Sequence, residues 1–302
     1  MSPPPAKLPL PPGARIPDRA VWLNGSLVRG HEAAISLWDR GARDGGALFE
    51  TLRTYAGRPF AWQQHMERLV LSAAELGFPV PPSPARLREA VDEVLEAERL
   101  TDAVVRITVT RGIPGGRPVR TGAWVETESL GGRLWAGARM RHPSGDGPAG
   151  GSAIVSRTPF APGRLGRHKT TSRLAYDLAR EEARAAGADE ALLVSPAGHV
   201  LEGAVSNLFV VRPDGLVVTP PLESDVLPGV TRACVLRLAR SIGLEAREGS
   251  VSLEMLRMAD EVFVTNSVQE VLPLAAVAGR PVPSRDVALR LLAEYRRLVA
   301  LG

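Results

Sequence analysis

The chain has 302 residues, 44% of them apolar and 23% charged, which is ordinary for a globular protein of one large or two ordinary domains. Its net charge of +4 comes from arginines that are mixed with 33 acidic residues and form no basic block, so we expect no nucleic-acid binding. No run approaches the roughly 18 apolar residues of a membrane span, and the only cysteine, Cys234, allows no internal disulfide, so we expect no membrane association and a cytoplasmic location.

The first half of the sequence predicts a Pro-rich, disordered tail over residues 1–19 and a small N-terminal domain over residues 20–142. The domain opens with short apolar runs around an Asn-Gly turn, which is typical of a β-hairpin. Helices are predicted from about Gln63 to Leu76 and from Ser83 or Pro84 onwards, and "DAVVRITVTRG" predicts a buried strand. The Gly- and Pro-rich residues 143–152 are predicted as the interdomain linker.

The second half predicts a large C-terminal domain over residues 153–302. A strand around Ala153 to Arg157 precedes the loop that contains Lys169, and a helix from about Ser172 to Ala186 follows it. "PGVTRACVLRLARSIG" predicts a further helix with Pro228 near its first turn. Short antiparallel strands with helices between them, without a regular βαβ rhythm, indicate an α+β fold made of two α/β domains.

Lys169 is one of only two lysines, the other being Lys7 in the tail, against thirty-five arginines. Arginine can replace lysine in a surface ion pair, but its guanidinium stays protonated and cannot attack a carbonyl as a lysine amine can. An amine kept at one place in an arginine-rich chain therefore predicts covalent chemistry, namely a Schiff base formed by Lys169. The alternative is a surface lysine without a role, and the neighbouring motifs have to decide between the two.

Other motifs match the needs of a pyridoxal phosphate enzyme, which requires an amine, a phosphate site, a partner for the pyridine nitrogen and a site for the substrate carboxylate. "LPGVTRA" places residues 229–231 at a helix start, where unpaired N–H groups and the helix dipole favour an anion. "TNSVQE", residues 265–270, follows a strand and supplies hydroxyl and turn N–H groups. Arg68 adds a positive charge, and the Glu202 carboxylate would keep the pyridine nitrogen protonated.

Seven motifs in this order resemble the class IV aminotransferases, the fold-type IV pyridoxal phosphate enzymes. They run from about Val21 to Pro283 and include "LFETLR", "HMERL", "HKTTSRL", "ADEALLV", "LEGAVSNLFVV", "TPPLESDVLPGVTR" and "ADEVFVTNSVQEVLPL". The family contains branched-chain aminotransferases, D-amino acid aminotransferases and aminodeoxychorismate lyases. The resemblance implies two α/β domains with the cofactor between them, usually in a homodimer whose sites take residues from both subunits.

The resemblance also implies residue roles. Lys169 matches the Schiff-base lysine, which later takes the Cα proton of the substrate, and Glu202 matches the carboxylate facing the pyridine nitrogen. Cofactor contacts are implied for five further residues: Arg68, Leu227, Val230, Thr231 and Ser267. An amino acid-like substrate would lie near Arg43, Ser267 and Val268. Arg167 and Arg173 would lower the pKa of the lysine amine if they face it.

Two reactions remain open at the level of sequence. The main expectation is 4-amino-4-deoxychorismate lyase, which forms p-aminobenzoate and pyruvate in the folate pathway. Three features favour it: Leu174 where branched-chain enzymes usually carry a tyrosine, the Gly-rich loop after "VRITVTRG", and the turn in "TNSVQEVLPL". The alternative is transamination of branched-chain L-amino acids or D-amino acids with 2-oxoglutarate or pyruvate. Arg43 and Asp44 depart from the pattern of both groups near the substrate.

Overall fold

In residues 17–115, 122–130 and 150–301, which the computed structural model describes, the chain forms two mixed layers of sheets and helices. The helices are α1 Arg40–Asp44, α2 Trp62–Glu75, α3 Pro84–Glu98, α4 Leu174–Ala185, α5 Val230–Ser241, α6 Leu253–Arg257 and α7 Asp286–Leu301. The strands of the first half are β1 Ala20–Leu23, β2 Ser26–Arg29, β3 Ala47–Tyr55, β4 Arg58–Pro59, β5 Ala103–Thr110 and β6 Ala123–Ser129.

The strands of the second half all belong to another sheet. They are β7 Gly151–Val155, β8 Glu190–Val194, β9 His199–Gly203, β10 Asn207–Val211, β11 Val217–Thr219, β12 Ala246–Glu248, β13 Val251–Ser252, β14 Glu261–Asn266, β15 Glu270–Val277 and β16 Arg280–Pro281. Most neighbours are antiparallel, and the parallel pairs are β11–β12, β15–β7 and β7–β8. The predicted α+β class is therefore confirmed.

The first sheet has six strands in the order β2-β1-β6-β5-β3-β4. Helices α2 and α3 cover one face, and their apolar stripes form a core with alternate residues of the strands. Helix α3 starts as its sequence predicts, since Ser83 accepts a hydrogen bond from the Arg86 N–H and Pro84 occupies the first turn. Helix α2 begins at Trp62 and ends at Glu75, each one residue before the predicted position.

The second sheet has ten strands, and six of them close into a ring. The order is β12-β11-β10-β14-β15-β7-β8-β9-β13 with β16 beside β15, and an extra pair between Asn207 and Glu202 joins β10 to β9. The ring encloses an apolar core of Val, Leu and Ala residues, and a second core lies between the sheet and helices α5 and α7. The pair that closes the ring also fixes the position of Glu202.

The two halves are joined by backbone hydrogen bonds at the Lys169 loop. The Phe49 N–H on β3 donates to the Lys169 carbonyl at 2.9 Å, and the Thr171 N–H donates to the Ala47 carbonyl at 2.9 Å. Leu48 and Thr170 pair between these two bonds as an isolated bridge. The lysine loop of the second half therefore adds to a strand of the first half.

The predicted domain boundaries stay a prediction, because residues 1–16, 116–121, 131–149 and 302 lie outside the described part of the chain. The last two residues of the predicted linker, Gly151 and Ser152, already belong to strand β7. Pro228 lies near the first turn of α5, as predicted, directly before the N-cap Gly229. No helix in the described residues has the length and apolar character needed to cross a membrane.

Candidate active site

A cavity of about 300 Å³ lies between the two sheets. Its walls come from β3 and β5 of the first sheet, from the Lys169 loop and α4, and from the ends of β9, β10 and β14 with the start of α5. Eight of the nine residues with an implied role line it: Arg68, Lys169, Glu202, Leu227, Val230, Thr231, Ser267 and Val268. Residues that are far apart in sequence therefore meet at one site of the size expected for a small ligand.

Lys169 lies half-buried in the wall of this cavity. The pKa of its amine is lowered to about 7. Burial is the largest cause; the positive charges of Arg173, Arg68 and Arg106 lower the pKa as well, and the negative charge of Glu50 opposes them. The Nζ atom stands 4.6 Å from the centre of the Phe49 ring. A neutral amine at neutral pH is the form that attacks a carbonyl and accepts a proton.

Two arginines and the amine of Lys169 lie near the Phe49 ring, which has a partly negative face. Arg106 lies 3.8 Å and Arg173 lies 5.9 Å from the ring centre, in addition to Lys169. Arg173 also stacks 4.2 Å over the Tyr176 ring and donates a hydrogen bond to the Ala204 carbonyl. This side of the cavity is therefore positive and suits a carboxylate.

Glu202 lies fully buried on β9, where burial raises the pKa of its carboxyl to about 7. The carboxylate accepts a hydrogen bond from the Leu227 N–H at 3.0 Å, and longer ones from the Asn207 amide and the Tyr176 hydroxyl, each at 3.4 Å. These donors and the nearby Arg173 and Lys169 partly offset the burial. The Glu202 carboxyl is thus held in place by hydrogen bonds, and near pH 7 its charged and neutral forms are present in similar amounts.

The start of helix α5 forms an anion site. Its N-cap is Gly229, which offers no side-chain acceptor to the first N–H groups of the helix. A Cβ at Gly229 would stand 1.9 Å from Asn207 Oδ1, so only glycine allows this close approach. Asn207 in turn donates to the Leu227 carbonyl at 2.9 Å and so links the anion site to Glu202. Unpaired N–H groups at a helix start favour a phosphate.

Arg68 adds a fixed positive charge beside this helix start. Its Nη1 donates to the Pro228 carbonyl at 2.9 Å, while its Nε and Nη2 donate to Glu50 at 2.8 and 2.5 Å. Burial would raise the pKa of Glu50, but Arg68 and His65 outweigh it and lower the pKa to about 2. His65 continues the chain of contacts, with Nδ1 at 2.7 Å from Glu50 and Nε2 at 3.4 Å from the Ser267 hydroxyl.

The turn between β14 and β15, residues 266–270, closes the cavity on another side. Asn266 Oδ1 accepts the N–H groups of Val268 and Gln269 at 3.0 and 2.8 Å, so this side chain caps the turn. Thr265 also lines the cavity, and its buried hydroxyl has no hydrogen-bond partner in the described residues. A buried polar atom without a partner indicates a site for a polar ligand.

Three positions singled out from the sequence lie elsewhere. Arg43 is exposed on α1, where it faces Asp44 at 3.7 Å and the Trp38 ring at 5.7 Å, and it does not line the cavity. Leu174 begins α4 with 73% of its surface exposed, so it does not stand where a tyrosine would face the cofactor. Arg167 pairs with Asp225 at 2.8 Å and is not among the charges that shift the Lys169 pKa.

Sequence reasoning missed several residues of the cavity, above all Tyr176, Arg106 and Asn207. Tyr176 lies on helix α4 and its hydroxyl reaches Glu202. It stands seven residues after Lys169, whereas the tyrosine of branched-chain enzymes was expected five residues after the lysine, at the position of Leu174. A signal for Arg106 was present, because it is the only charged residue within the buried strand "AVVRITVT". The contacts of Asn207 depend on the closing of the ring and have no local signal.

The residues present fit pyridoxal phosphate. Lys169 would bond to the aldehyde carbon, the α5 start and Arg68 would hold the phosphate, and Glu202 would face the pyridine nitrogen. Leu227 supplies an apolar contact at the cavity wall. The fit is supported by the unpaired Thr265 hydroxyl and by the Lys169 amine, whose pKa of about 7 leaves about half of it neutral at neutral pH.

Comparisons with known proteins agree with this site. The sequence model of the family described as Amino-transferase class IV matches residues 47–277. The branched-chain-amino-acid aminotransferase of Escherichia coli K12 is 32% identical over 269 residues, 86% of this chain and 85% of the relative. The D-alanine aminotransferase of Bacillus licheniformis is 31% identical over 87% of this chain and 90% of the relative.

Solved structures give the same result. A branched-chain amino acid aminotransferase from T.th., solved with pyridoxamine 5'-phosphate, superposes with a TM-score of 0.81 at 32% identity, covering 94% of this chain and 95% of that chain. The same enzyme has been solved with N-(5'-phosphopyridoxyl)-L-glutamate and with 4-methylvaleric acid. The chain therefore belongs to the class IV aminotransferases and is a pyridoxal phosphate-dependent enzyme of fold type IV.

Proposed function

We propose that this protein is a transaminase that moves the amino group of a branched-chain L-amino acid to 2-oxoglutarate. The observation that carries the proposal is an apolar cavity wall that has a half-buried arginine beside it. Phe49, Leu227, Val230 and Val268 supply apolar surface that suits a branched side chain. Arg106, half-buried and stacked over the Phe49 ring, suits the second carboxylate of glutamate or 2-oxoglutarate.

The residues of the cavity divide the work of such a reaction. When bound, pyridoxal phosphate supplies an electron sink that makes the Cα hydrogen of an amino acid acidic. Glu202, buried and held by the Leu227 N–H, would keep the pyridine nitrogen protonated and so maintain that sink. Arg68 and the start of α5 would hold the phosphate.

Lys169 would act as the base of this reaction. With a pKa of about 7, a large fraction of its Nζ is neutral at neutral pH and can accept the Cα proton. The cations Arg173 and Arg106 favour this neutral form, because a second positive charge beside them is costly. The same amine can return the proton to another carbon of the reacting system, as transamination requires.

The lyase expectation is not supported by the comparisons, since the relatives are named branched-chain and D-alanine aminotransferases. The exposed position of Leu174 removes one of its three supports, and Tyr176 supplies a tyrosine to the cavity. Transamination of D-amino acids is the second candidate. It is favoured by the D-alanine aminotransferase relative, whose identity of 31% is close to that of the branched-chain enzymes.

We further propose a homodimer. Ile35, Leu37 and Trp38 expose large apolar surfaces within four residues of sequence, which is unusual for a monomer. Arg43 lies next to this segment and faces Trp38. Arg43 does not line the cavity of its own chain. It could contact substrate, as expected, only if it reached the cavity of a partner subunit across this interface.

The proposal is tested by three assays on the purified, cofactor-loaded protein. The first measures L-glutamate formed from 2-oxoglutarate with L-leucine, L-isoleucine or L-valine. The second uses D-alanine as donor, and the third measures p-aminobenzoate released from aminodeoxychorismate. We expect the highest kcat/KM with a branched-chain L-amino acid.

Each assay has a defined meaning and a matched control. Lys169→Ala should abolish activity in all three assays, which excludes a contaminating enzyme. A higher kcat/KM for D-alanine would replace the proposal by the D-amino acid enzyme. Release of p-aminobenzoate and pyruvate in equal amounts, with no glutamate formed, would restore the lyase.

A further inference from the structure

Glu270 is a buried carboxylate at the start of β15 that lies just behind the cavity. Its side chain is only 2% exposed, yet it has no place in the chemistry described above. A buried carboxylate is kept charged only when cations and hydrogen-bond donors surround it. Its partners therefore indicate what it does.

The partners of Glu270 come from both halves of the molecule. Its Oε1 accepts hydrogen bonds from Arg53 Nη1 at 3.0 Å and from the Tyr55 hydroxyl at 2.8 Å, both on β3 of the first sheet. Its Oε2 accepts one from Arg296 Nε on α7 at 2.9 Å. One carboxylate thus joins the first sheet, the second sheet and the C-terminal helix.

Arg53 extends this link to the cavity wall. The same Nη1 that meets Glu270 donates to the Val268 carbonyl at 3.3 Å, and the arginine stacks 4.5 Å over the Tyr55 ring. Val268 belongs to the 266–270 turn, which lines the same cavity as Lys169. The position of this turn relative to the first sheet is therefore set through Arg53 and Glu270.

The backbone at Glu270 indicates the same constraint. Its φ is +63°, a left-handed conformation that a glutamate rarely adopts and that glycine or asparagine adopts more readily. Such a conformation persists where the surrounding contacts over-determine it, and it is found preferentially at functional sites. Glutamate is present here because its carboxylate is needed, since a glycine would relieve the backbone but leave Arg53 and Tyr55 without their acceptor.

We propose that Glu270 is a positioning residue that locks the 266–270 turn to the first sheet through Arg53, and thereby sets the affinity of the cavity for the substrate. The proposal rests on the transaminase function for the identity of the substrate. The contacts by which Glu270 holds the turn lie within this chain and do not depend on which substrate is bound.

The test measures the dissociation constant of 4-methylvaleric acid, an unreactive carboxylic acid bound by a relative, by calorimetry on the cofactor-loaded protein. Glu270→Gln and Glu270→Gly should each raise it about tenfold or more, because a displaced wall misplaces the ligand. Amide exchange in a peptide containing residues 266–270 should become faster in both variants. KM for the amino donor should rise more than kcat falls.

The matched control is Glu261→Gln. Glu261 is equally buried, on the neighbouring strand β14, but it holds the start of α7 through the Ser284 hydroxyl and the Val287 and Ala288 N–H groups. This variant should lower thermal stability and leave both the dissociation constant and the exchange of the turn unchanged. If Glu270→Gly binds the acid as tightly as the wild type, the carboxylate has no positioning role and the proposal is rejected.

A double variant decides whether Glu270 acts through Arg53. Arg53→Met and Glu270→Gln should raise the dissociation constant by similar factors, and the double variant should raise it no further. If the dissociation constant of the double variant rises by the product of the two single factors, Glu270 does not act through Arg53 and the proposal is rejected. If the wild type neither binds the acid nor converts branched-chain amino acids, the proposed branched-chain substrate is wrong. The amide exchange of the 266–270 turn then still tests whether Glu270 fixes this turn.

Discussion

Lys169 lies in a site that disfavours its charge, and this gives a first prediction about pH. An amine captures an aldehyde only in its neutral form, which predominates above its pKa. Since burial and nearby arginines lower that pKa from 10.5 to about 7, the rate at which cofactor-free protein captures pyridoxal phosphate should rise as the pH increases through about 7. Arg173→Leu should move the midpoint to higher pH, because it removes a positive charge beside the amine. Stopped-flow absorbance at pH values from about 5.5 to about 9.5 measures both.

Arg167→Leu is the matched control for this prediction. Arg167 is two residues from Lys169 in sequence, but its guanidinium pairs with Asp225 and faces solvent. Its removal should leave the midpoint where it is in the wild type. A midpoint that moves equally in both variants, or one near 10.5 in the wild type, would contradict the account of the Lys169 pKa.

Glu202 gives a second prediction, which concerns stability. Burial raises the pKa of its carboxyl from 4.5 to about 7, so the folded protein binds more protons than the unfolded chain between these pH values. Stability is therefore lost as the pH rises through this window, by about 3 kcal/mol at about 1.36 kcal/mol for each pKa unit. The Glu202→Gln protein should not lose this stability, because an amide does not titrate. Urea unfolding of the cofactor-free variant should show greater stability than the wild type at about pH 8 and little difference at about pH 4.5.

The same variant should be a poor enzyme. An amide cannot keep the pyridine nitrogen protonated, so we expect turnover to fall about a hundredfold while the cofactor still binds. Steady-state kinetics at saturating cofactor checks this. A Glu202→Gln protein with wild-type turnover, or with reduced stability at mildly alkaline pH, would show that the carboxylate has a structural role only.

At the residue scale, the sequence predicted those site residues that are recognisable by their residue type or by the motif in which they lie. Lys169 is distinctive among arginines, and Glu202 and Arg68 lie in motifs that resemble those of a known family. Contacts between distant segments were not predictable, because Tyr176 and Arg106 reach the cavity only after their helix and strand have packed. Leu174 could not distinguish the two reactions for the same reason, since it lies on the exposed side of α4.

At the element scale, the start of helix α5 depends on one glycine. Gly229→Ala would place a Cβ 1.9 Å from Asn207 Oδ1. The displaced Asn207 would lose its bond to the Leu227 carbonyl, and the first turn of α5 would shift. We expect affinity for pyridoxal phosphate to fall at least about tenfold, since the N–H groups of the helix start supply much of the phosphate site. Titration followed by absorbance measures this affinity.

Gly249→Ala is the control for this prediction. Its Cβ would meet Val218 at 3.4 Å, an ordinary contact, and the residue is remote from the described cavity wall. Cofactor affinity should be unchanged. Equal losses of affinity in the two variants would mean that any added methyl weakens binding through a general loss of stability.

The elements themselves were largely predictable. Helices α2, α3 and α4 lie within about two residues of their predicted ends, because caps and apolar periodicity are local signals. The closing of six strands into a ring was not predictable. It depends on the single pair between Asn207 and Glu202 and on parallel neighbours that are distant in sequence. The position of Glu202 in the site follows from this pairing.

At the scale of the whole molecule, the cavity exists only because the two halves are docked. The Lys169 loop pairs with β3, Arg68 reaches the Pro228 carbonyl, and Glu270 holds Arg53. Every one of these links joins a residue of the first half of the chain to one of the second half. The family resemblance predicted a site between two domains, but the sequence does not reveal which contacts hold them together.

The last prediction concerns the assembly of this molecule with a second copy. Leu37 is 85% and Trp38 is 65% exposed, and apolar side chains of this size on a surface are stabilised by burial against a partner. Light scattering after gel filtration should give a mass of about twice 32.2 kDa. Combining Leu37→Glu with Trp38→Glu should give the monomer mass, because two charges would oppose burial of the segment.

Val80→Glu separates this effect from a general effect of surface charge. Val80 is 91% exposed in the connection between α2 and α3, so its apolar surface is as accessible as that of Leu37. The Val80→Glu protein should remain a dimer and keep wild-type activity. A wild-type mass near 32.2 kDa, or a dimer that persists in the Leu37→Glu, Trp38→Glu protein, would contradict the proposed interface. If the double variant is a folded monomer that loses activity although its cofactor is bound, the partner subunit must complete the substrate site, as the position of Arg43 beside Trp38 requires.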